Sequence, residues 1–252
     1  MGFTPALHAE WIKIRTLRSL VGGLCAVLSA TVAFSVVSAF SASSASSADA
    51  ATGTDAEDLD PLFSVFFGVS FGQIAAIAFA TTAVASEFQG GALRLSLAAV
   101  PHRGRWFAAK LTAIALPVLT VGLTTGLITV VVGSAVLGEK ADGLSTADCL
   151  RGALGCAVYL TLMALLAAGL TAVLRSGTTA LSILVPFLLI VSFVVGDMSG
   201  NVADLLPDRA GQVVLHSRRE GALGPWTGLA VTALWAATAV AAGAWRVQRR
   251  DA

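Results

Sequence analysis

Six apolar stretches, each about as long as a bilayer-crossing helix, constrain this chain more than any other feature. A hydrocarbon core about 30 Å thick takes roughly 20 helical residues. Charged residues make up 12% of the 252-residue sequence, against roughly one quarter in soluble domains. The sequence therefore predicts an all-α integral membrane protein with six transmembrane helices in one domain, residues 1–252. The predicted spans are residues 20–40, 62–85, 107–137, 152–174, 178–195 and 223–245.

Most Lys and Arg side chains fall on one side of these spans. If the N-terminus is inside, eleven of the sixteen lie inside, and by the positive-inside rule both termini are cytoplasmic. A cleaved signal peptide is the competing interpretation, but the apolar run of about 21 residues exceeds the usual ~7–15. The inside set is Lys13, Arg15, Arg18, Arg94, Arg103, Arg105, Lys110, Arg175, Arg246, Arg249 and Arg250.

Two polar segments are then placed outside. Residues 41–61 are rich in Ser and Ala and then acidic, which predicts a flexible outer loop. Residues 196–222 contain the amphipathic fragment Val202–Pro207 and fit a surface helix, a re-entrant element or a plain loop. Within the spans, Pro117 and Pro186 predict kinks.

Residues 1–19 carry Leu7, Trp11 and Ile14 at helical spacing beside basic residues. This pattern is typical of a helix lying in the cytoplasmic interface, where Trp sits at headgroup depth. An ordinary basic flank that fixes topology fits equally well.

The longest polar stretch assigned to the cytoplasm joins spans two and three, over residues 86–106. After Glu87, the pair Gly90-Gly91 favours a turn, and Leu93, Leu97 and Val100 follow at helical spacing before Pro101. A short helix along the inner face is expected, and a connector with no further role is the alternative. Trp106 marks re-entry into the membrane, and Lys110 is expected to snorkel toward water.

No residues in the sequence form a recognisable catalytic or metal site. Gly68-Val69-Ser70-Phe71-Gly72 matches a hydrolase motif, but such a serine needs a strand-to-helix turn and a nearby base. Gly68 with Gly72, and Gly122 with Gly126, instead predict close helix packing. Gln73 is interpreted as an interhelical hydrogen-bonding residue, with a substrate contact as the alternative. No phosphate-binding loop occurs, so any ATP chemistry must come from another chain.

Two segments resemble permease subunits of the type-2 ABC exporter family. They are Leu7–Arg18, and a second run that comprises Ser86-Glu87-Phe88, Gly91–Arg94, Leu97–Arg105 and Ala109-Lys110. The resemblance implies a six-span subunit that forms a homodimer or pairs with a second permease in the bacterial plasma (inner) membrane, in contact with lipid. It implies no cofactor in this chain, with ATP and Mg²⁺ held by a separate ATPase subunit, and no nucleic-acid partner.

The same resemblance nominates site residues. A coupling helix within residues 86–106 would contact the ATPase, and spans two and five would line the substrate path. The candidate coupling residues are Glu87, Arg94, Leu97, Arg103 and Arg105, and the candidate path residues are Phe66, Gln73, Phe187 and Phe193. The alternatives from other classes are a non-transporting membrane scaffold or immunity protein and, third, an intramembrane hydrolase.

Overall fold

The computed structural model describes residues 3–52, 60–89, 92, 96, 102–138, 145–191, 204–217 and 223–249, and these residues are helical or form turns and short connections. The helices are α1 (Phe3–Thr16), α2 (Arg18–Thr52), α3 (Pro61–Phe66), α4 (Val69–Phe88), α5 (Arg103–Leu137), α6 (Thr146–Leu174), α7 (Gly177–Pro186), α8 (Pro207–Gln212) and α9 (Pro225–Arg249). A π-helical turn, Phe187–Val191, follows α7, and a 3₁₀ turn, Val213–Leu215, follows α8.

Five helical segments in the described part of the chain are long and apolar enough to cross a membrane. They are Arg18–Ser44, Pro61–Phe88, Arg103–Leu137, Thr146–Leu174 and Pro225–Arg249. The fifth predicted span corresponds to the shorter apolar helix Gly177–Leu189, and its predicted end at residue 195 lies outside the described residues. The all-helical membrane fold is confirmed, and the count of six spans stays a prediction.

Helix α6 is the centre of the bundle. It packs against α4, α5 and α9, while α2 packs against α4 and α5, and α1 lies against α5. Its most apolar window is 67% buried, against 22% for the corresponding window of α2. The outer helices therefore leave broad apolar faces open to lipid or to another subunit.

The helices differ from the sequence-based expectation in two places. Residues 41–52 are predicted to begin an outer loop, but α2 continues through them to Thr52; they are rich in Ala as well as Ser and contain neither Gly nor Pro, which permits helix. The second span is not one unbroken helix, since a turn at Phe67–Gly68 separates α3 from α4. There the Gly68 amide donates to Ser35 Oγ of α2 at 3.1 Å, which takes it out of the helical ladder.

Small residues set the spacing of the bundle, as both glycine motifs predict. A Cβ added to Gly122 or Gly126 would lie 2.9 Å from the Cα of Ala157 or Ala153 on α6. A Cβ on Gly72 would collide with the Thr31 hydroxyl of α2. The prediction that these glycines form packing faces is confirmed.

Two helix ends are built from single residues. Arg175 adopts a left-handed conformation, φ 57°, and its amide donates to Thr171 O at 2.7 Å, which ends α6 two residues before α7 begins. Pro186 is the last residue of α7, and the π-helical turn starts directly after it. The helical geometry changes at Pro186, while a kink of the helix axis there stays a prediction.

The segment before the last helix packs into the bundle. Pro207, Asp208, Ala210 and Gly211 of α8 are buried, and the Thr232 hydroxyl of α9 donates to Pro207 O at 2.8 Å. Of the three structures left open for this segment, a plain loop is excluded for residues 207–215.

Candidate functional site

Four ionisable side chains meet at the end of the bundle where α4 finishes and α5 begins. Glu10 and Lys13 come from α1, Glu87 from the last turn of α4, and Lys110 from the second turn of α5. We call these four residues the charged hub. It joins the N-terminal helix to two of the long apolar segments.

The hub is a closed set of short ion pairs. Lys110 Nζ lies 2.8 Å from Glu10 Oε2 and 2.8 Å from Glu87 Oε1. Lys13 Nζ lies 3.0 Å from Glu10 Oε1 and 2.9 Å from Glu87 Oε1. Each lysine therefore bridges both carboxylates.

Burial makes the balance of charge in the hub important. The side chains of Glu10, Glu87 and Lys110 are only 3–5% exposed, whereas that of Lys13 is 39% exposed. Two carboxylates and two ammonium groups sum to zero, so the intact hub carries no uncompensated buried charge. Removing one member of such a set typically costs ~3–5 kcal/mol.

Lys13 lies at the water-facing side of the hub. Burial acts to lower its pKa, but hydrogen bonds to Glu87 and Glu10 outweigh that effect and hold the pKa above its ordinary value. Lys13 therefore stays charged across the physiological pH range.

The loop after α4 reaches the hub through Ser96. The Ser96 hydroxyl donates to Glu87 Oε2 at 3.1 Å and accepts from Lys13 Nζ at 3.5 Å. At the far end of the loop, Arg103 donates to Val247 O near the end of α9 at 3.2 Å, and Arg105 is exposed. Arg94 and Leu97 lie outside the described residues. The structure thus brings Glu87 into the hub and places Arg103 and Arg105 at the start of α5.

Sequence reasoning missed half of the hub. Lys110 does not snorkel to water, because two carboxylates lie next to its ammonium group inside the bundle. The N-terminal stripe of Leu7, Trp11 and Ile14 is also incomplete, since Ala6, Glu10 and Ile14 form the buried face of α1. The sequence held one indication that these residues pair. Lys13 and Lys110 are two of only three lysines, and few carboxylates were assigned to the inner side, so these groups had few possible partners.

A second polar cluster lies deeper in the bundle. Tyr159 of α6 donates to Gln73 Oε1 of α4, and Gln212 of α8 donates to the Tyr159 hydroxyl at 3.3 Å. The Ser70 hydroxyl donates to Gln212 Oε1, also at 3.3 Å. The interpretation of Gln73 as an interhelical hydrogen-bonding residue is confirmed. Ser70 has an amide partner here rather than a catalytic base.

The candidate path residues occupy different environments. Phe66 is fully buried and packs on Gly152, and Gln73 is 3% exposed. Both face the interior of the protomer in this structure, so a place on a path between protomers stays a prediction for them. Phe187 is half-buried in the π-helical turn, and Phe193 lies outside the described residues. On α4 and the turn before it, Phe67 and Phe71 lie on the more open side.

Among the described residues, no group of three His, Cys, Asp or Glu side chains could hold a metal ion. The long apolar helices define a multi-pass membrane protein. Its charged hub and its deeper polar cluster join these helices to one another.

The model of the ABC-2 family transporter proteins matches residues 24–252. The chain therefore belongs to the ABC-2 transporter family, and it has the role of a membrane permease domain. A comparison with curated proteins finds no match. In this family the membrane domain generally pairs with an ABC-type ATPase subunit and is not itself catalytic.

Proposed function

We propose that this chain is the transmembrane subunit of an ATP-driven exporter that works as a dimer in the bacterial plasma membrane. A separate ATPase subunit binds ATP and Mg²⁺, and this chain performs no covalent chemistry. The observation that carries the proposal is the charged hub, because it fastens the loop after α4 to three helices at once.

The hub end of the bundle faces the cytoplasm in this proposal. Arg15, Arg18, Arg103, Arg246 and Arg249 all lie at the helix ends that meet there. This excess of Arg supports cytoplasmic N- and C-termini by the positive-inside rule.

Closure of the ATPase subunits on ATP would push on the loop, whose residues Arg94 and Leu97 we assign to the contact. Ser96 transmits the displacement to Glu87 and Lys13, and Lys110 passes it to α5. Glu87 is 2% exposed, so we assign it as a positioning residue that acts through its lysines. Arg103 and Arg105 are the candidate contacts where the loop ends.

Cargo would pass between the two protomers along the open side of α4 and the fifth span. Phe67 and Phe71 line that side of the second span, where Phe34 of α2 stacks on Phe71 with ring centroids 3.9 Å apart. Phe187 and Phe193 would contribute from the fifth span. Phe66 of α3 and Gln73 of α4 would reach the path only after both helices rotate.

Co-purification with a co-expressed ABC-type ATPase subunit tests the proposal. We expect Arg94→Glu to abolish retention of the ATPase, because it reverses the charge at the assigned contact. Arg15→Glu is the matched control, since Arg15 is exposed at the same end but lies on α1. Equal retention by both variants and the wild type would overturn the assigned contact.

The positioning role of Glu87 is tested by turnover rather than by binding. Glu87→Gln should also destabilise the bundle, so the comparison is made on the assembled dimer alone. There we expect the ATPase to stay bound while cargo-stimulated ATP hydrolysis falls, since the loop stays in place but its link to α5 is weakened. A merely structural role would lower assembly and turnover together.

A further inference from the structure

An apolar groove runs along the membrane-facing side of the bundle between α5, α6 and α9. Its volume is about 450 Å³, within the ~300–1,000 Å³ range of ligand pockets. On α5 it extends from Leu111 to Leu119, about 12 Å at ~1.5 Å per residue. Other lining residues include Thr161, Leu165, Ala237 and Val240.

The groove offers no free side-chain donor to an occupant. Its two side-chain hydroxyls donate within their own helices: Thr112 donates to Ala108 O at 2.8 Å, and Thr161 donates to Ala157 O at 2.7 Å. The remaining lining side chains are Ala, Leu and Val. A polar ligand would lose most of its hydrogen bonds to water without replacement, so the fitting occupant is a hydrocarbon chain.

Arg105 and the polar side chain of Gln248 lie at the end of the groove nearest the start of α5. Arg105 is exposed and precedes the lining residue Thr112 by seven residues, which places both on one face of α5. Gln248 of α9 is exposed beside Gly104, and its Nε2 lies 3.5 Å from where a Cβ on that glycine would be. In the described part of the chain, no carboxylate forms an ion pair with Arg105.

We propose that this groove binds one anionic phospholipid. Its phosphate is held by Arg105 with the Gln248 amide, and one acyl chain lies in the groove. Leu111 follows Arg105 by six residues, about 9 Å along the helix, so the groove begins a short way inside the level of the arginine, which can reach toward the headgroup layer. The lipid belongs to the cytoplasmic leaflet if the proposed orientation holds, but its binding does not depend on transport.

Lipid retention by the purified full-length chain tests this site. After delipidation, native mass spectrometry with added phosphatidylglycerol or phosphatidylcholine of the same acyl composition measures occupancy. We expect phosphatidylglycerol to be preferred, and Arg105→Ala to lower its occupancy about fivefold, the usual effect of one basic residue at an anionic surface. Ala237→Phe, which fills the groove from an exposed position, should lower the occupancy of both lipids.

Matched controls come from the opposite face of α9. Arg249 is exposed at the same membrane end and stacks on Trp245 at 4.7 Å, so Arg249→Ala removes an equal charge away from the groove. Ala242→Phe adds equal bulk to an exposed position outside the lining. Equal retention of the two lipids, an equal loss in Arg249→Ala, or full retention in Ala237→Phe would each overturn the site.

The lipid site and the proposed ATPase contact share Arg105, and co-purification of the ATPase with the same variants separates them. Loss of lipid from Arg105→Ala with the ATPase still bound supports the lipid site. Loss of the ATPase with lipid preference intact would overturn it and leave Arg105 as a partner contact. If both are lost, Ala237→Phe decides, because Ala237 lies on α9 away from the loop.

Discussion

Lys110 is the residue whose environment differs most from what its neighbours in the sequence suggest. It follows an apolar Trp-Phe-Ala-Ala run, a position where a lysine usually reaches back toward water. Here its side chain is 3% exposed between two carboxylates. Its charge stays inside the bundle because the carboxylates of Glu10 and Glu87, on two other helices, lie next to its ammonium group.

A double-mutant cycle at Glu87 and Lys110 tests this account. Glu87→Gln or Lys110→Met alone leaves an unbalanced buried charge, and each should cost about 3–5 kcal/mol of unfolding free energy. The double variant leaves the balanced pair Glu10–Lys13, so its loss should be smaller than the sum by ~0.5–3 kcal/mol. Unfolding of the purified variants in detergent gives the three values, and strict additivity would show that the two charges do not interact.

The contribution of Lys13 to stability should change with pH only at high pH. Its pKa is raised from 10.5 in the folded chain, so its contribution is complete below pH 10.5 and is lost as the pH rises through the folded-state pKa above that value. Thermal unfolding between pH 7 and pH 9 should show no step from this group. Lys13→Met should remove the loss at high pH, and a wild-type step below pH 9 that this variant abolishes would contradict the assignment.

At the scale of elements, a feature could be predicted from the sequence when the residues that cause it are close together in the chain. Helix-length apolar runs and closely spaced glycines are local, so the long helices and both packing motifs were predictable. The hub was not, because Glu10 and Lys110 lie a hundred residues apart and nothing in either segment indicates the other. The turn at Gly68 was hidden for the same reason, since its cause is Ser35 on α2.

Gly126 and Gly22 both lie in helices but have different surroundings, so alanine substitution at each gives a direct test of helix packing. Gly126→Ala places a Cβ 2.9 Å from both Ala153 Cα and Ala153 O, which are backbone atoms of α6. We expect it to destabilise the protein by about 1–3 kcal/mol through overpacking. Gly22→Ala meets nothing within 4 Å, so it should be neutral or stabilise α2 by up to ~1 kcal/mol. A stabilising effect at both positions would show that α5 and α6 are not in close contact.

The hydroxyl of Tyr159 ties α8 and α4 to α6. Tyr159→Phe removes that hydroxyl from Gln73 and Gln212, and we expect a loss of about 0.6–1.7 kcal/mol, the range of interhelical hydrogen bonds in membranes. Thr161→Val, on the same helix, removes a hydroxyl that bonds only within α6 and should change stability less. Denaturant unfolding of both variants measures the difference, and equal losses would argue against an interhelical role.

For the molecule as a whole, the number of membrane crossings depends on one short helix. The segment Gly177–Leu189 is shorter than the five long spans. If those five all cross and both termini are cytoplasmic, this segment has to cross as well, because the number of crossings must then be even. The composition of the chain predicts a membrane protein. Whether the number of crossings is odd or even depends on the short helix that the π-helical turn follows, and hydropathy does not show whether such a short helix crosses.

Alkaline phosphatase fusions decide that parity, because the enzyme is active only outside the cytoplasm. A fusion after Gly138, which follows the third predicted span, should be active. A fusion after Ala252 should be inactive although expressed at a similar level. Activity at both positions would mean five crossings and an external C-terminus.

The hundred-residue separation of Glu10 and Lys110 also orders events during biosynthesis. The ribosome makes α1 long before α5, so Glu10 has to wait, solvated at the membrane surface, while two spans are inserted. Lys13 can pair with Glu87 as soon as α4 is made, but the buried carboxylates are balanced only after Lys110 has emerged. A chain interrupted between α4 and α5 would therefore carry a hub with two carboxylates and one lysine, and α1 would be held less firmly than in the complete protein.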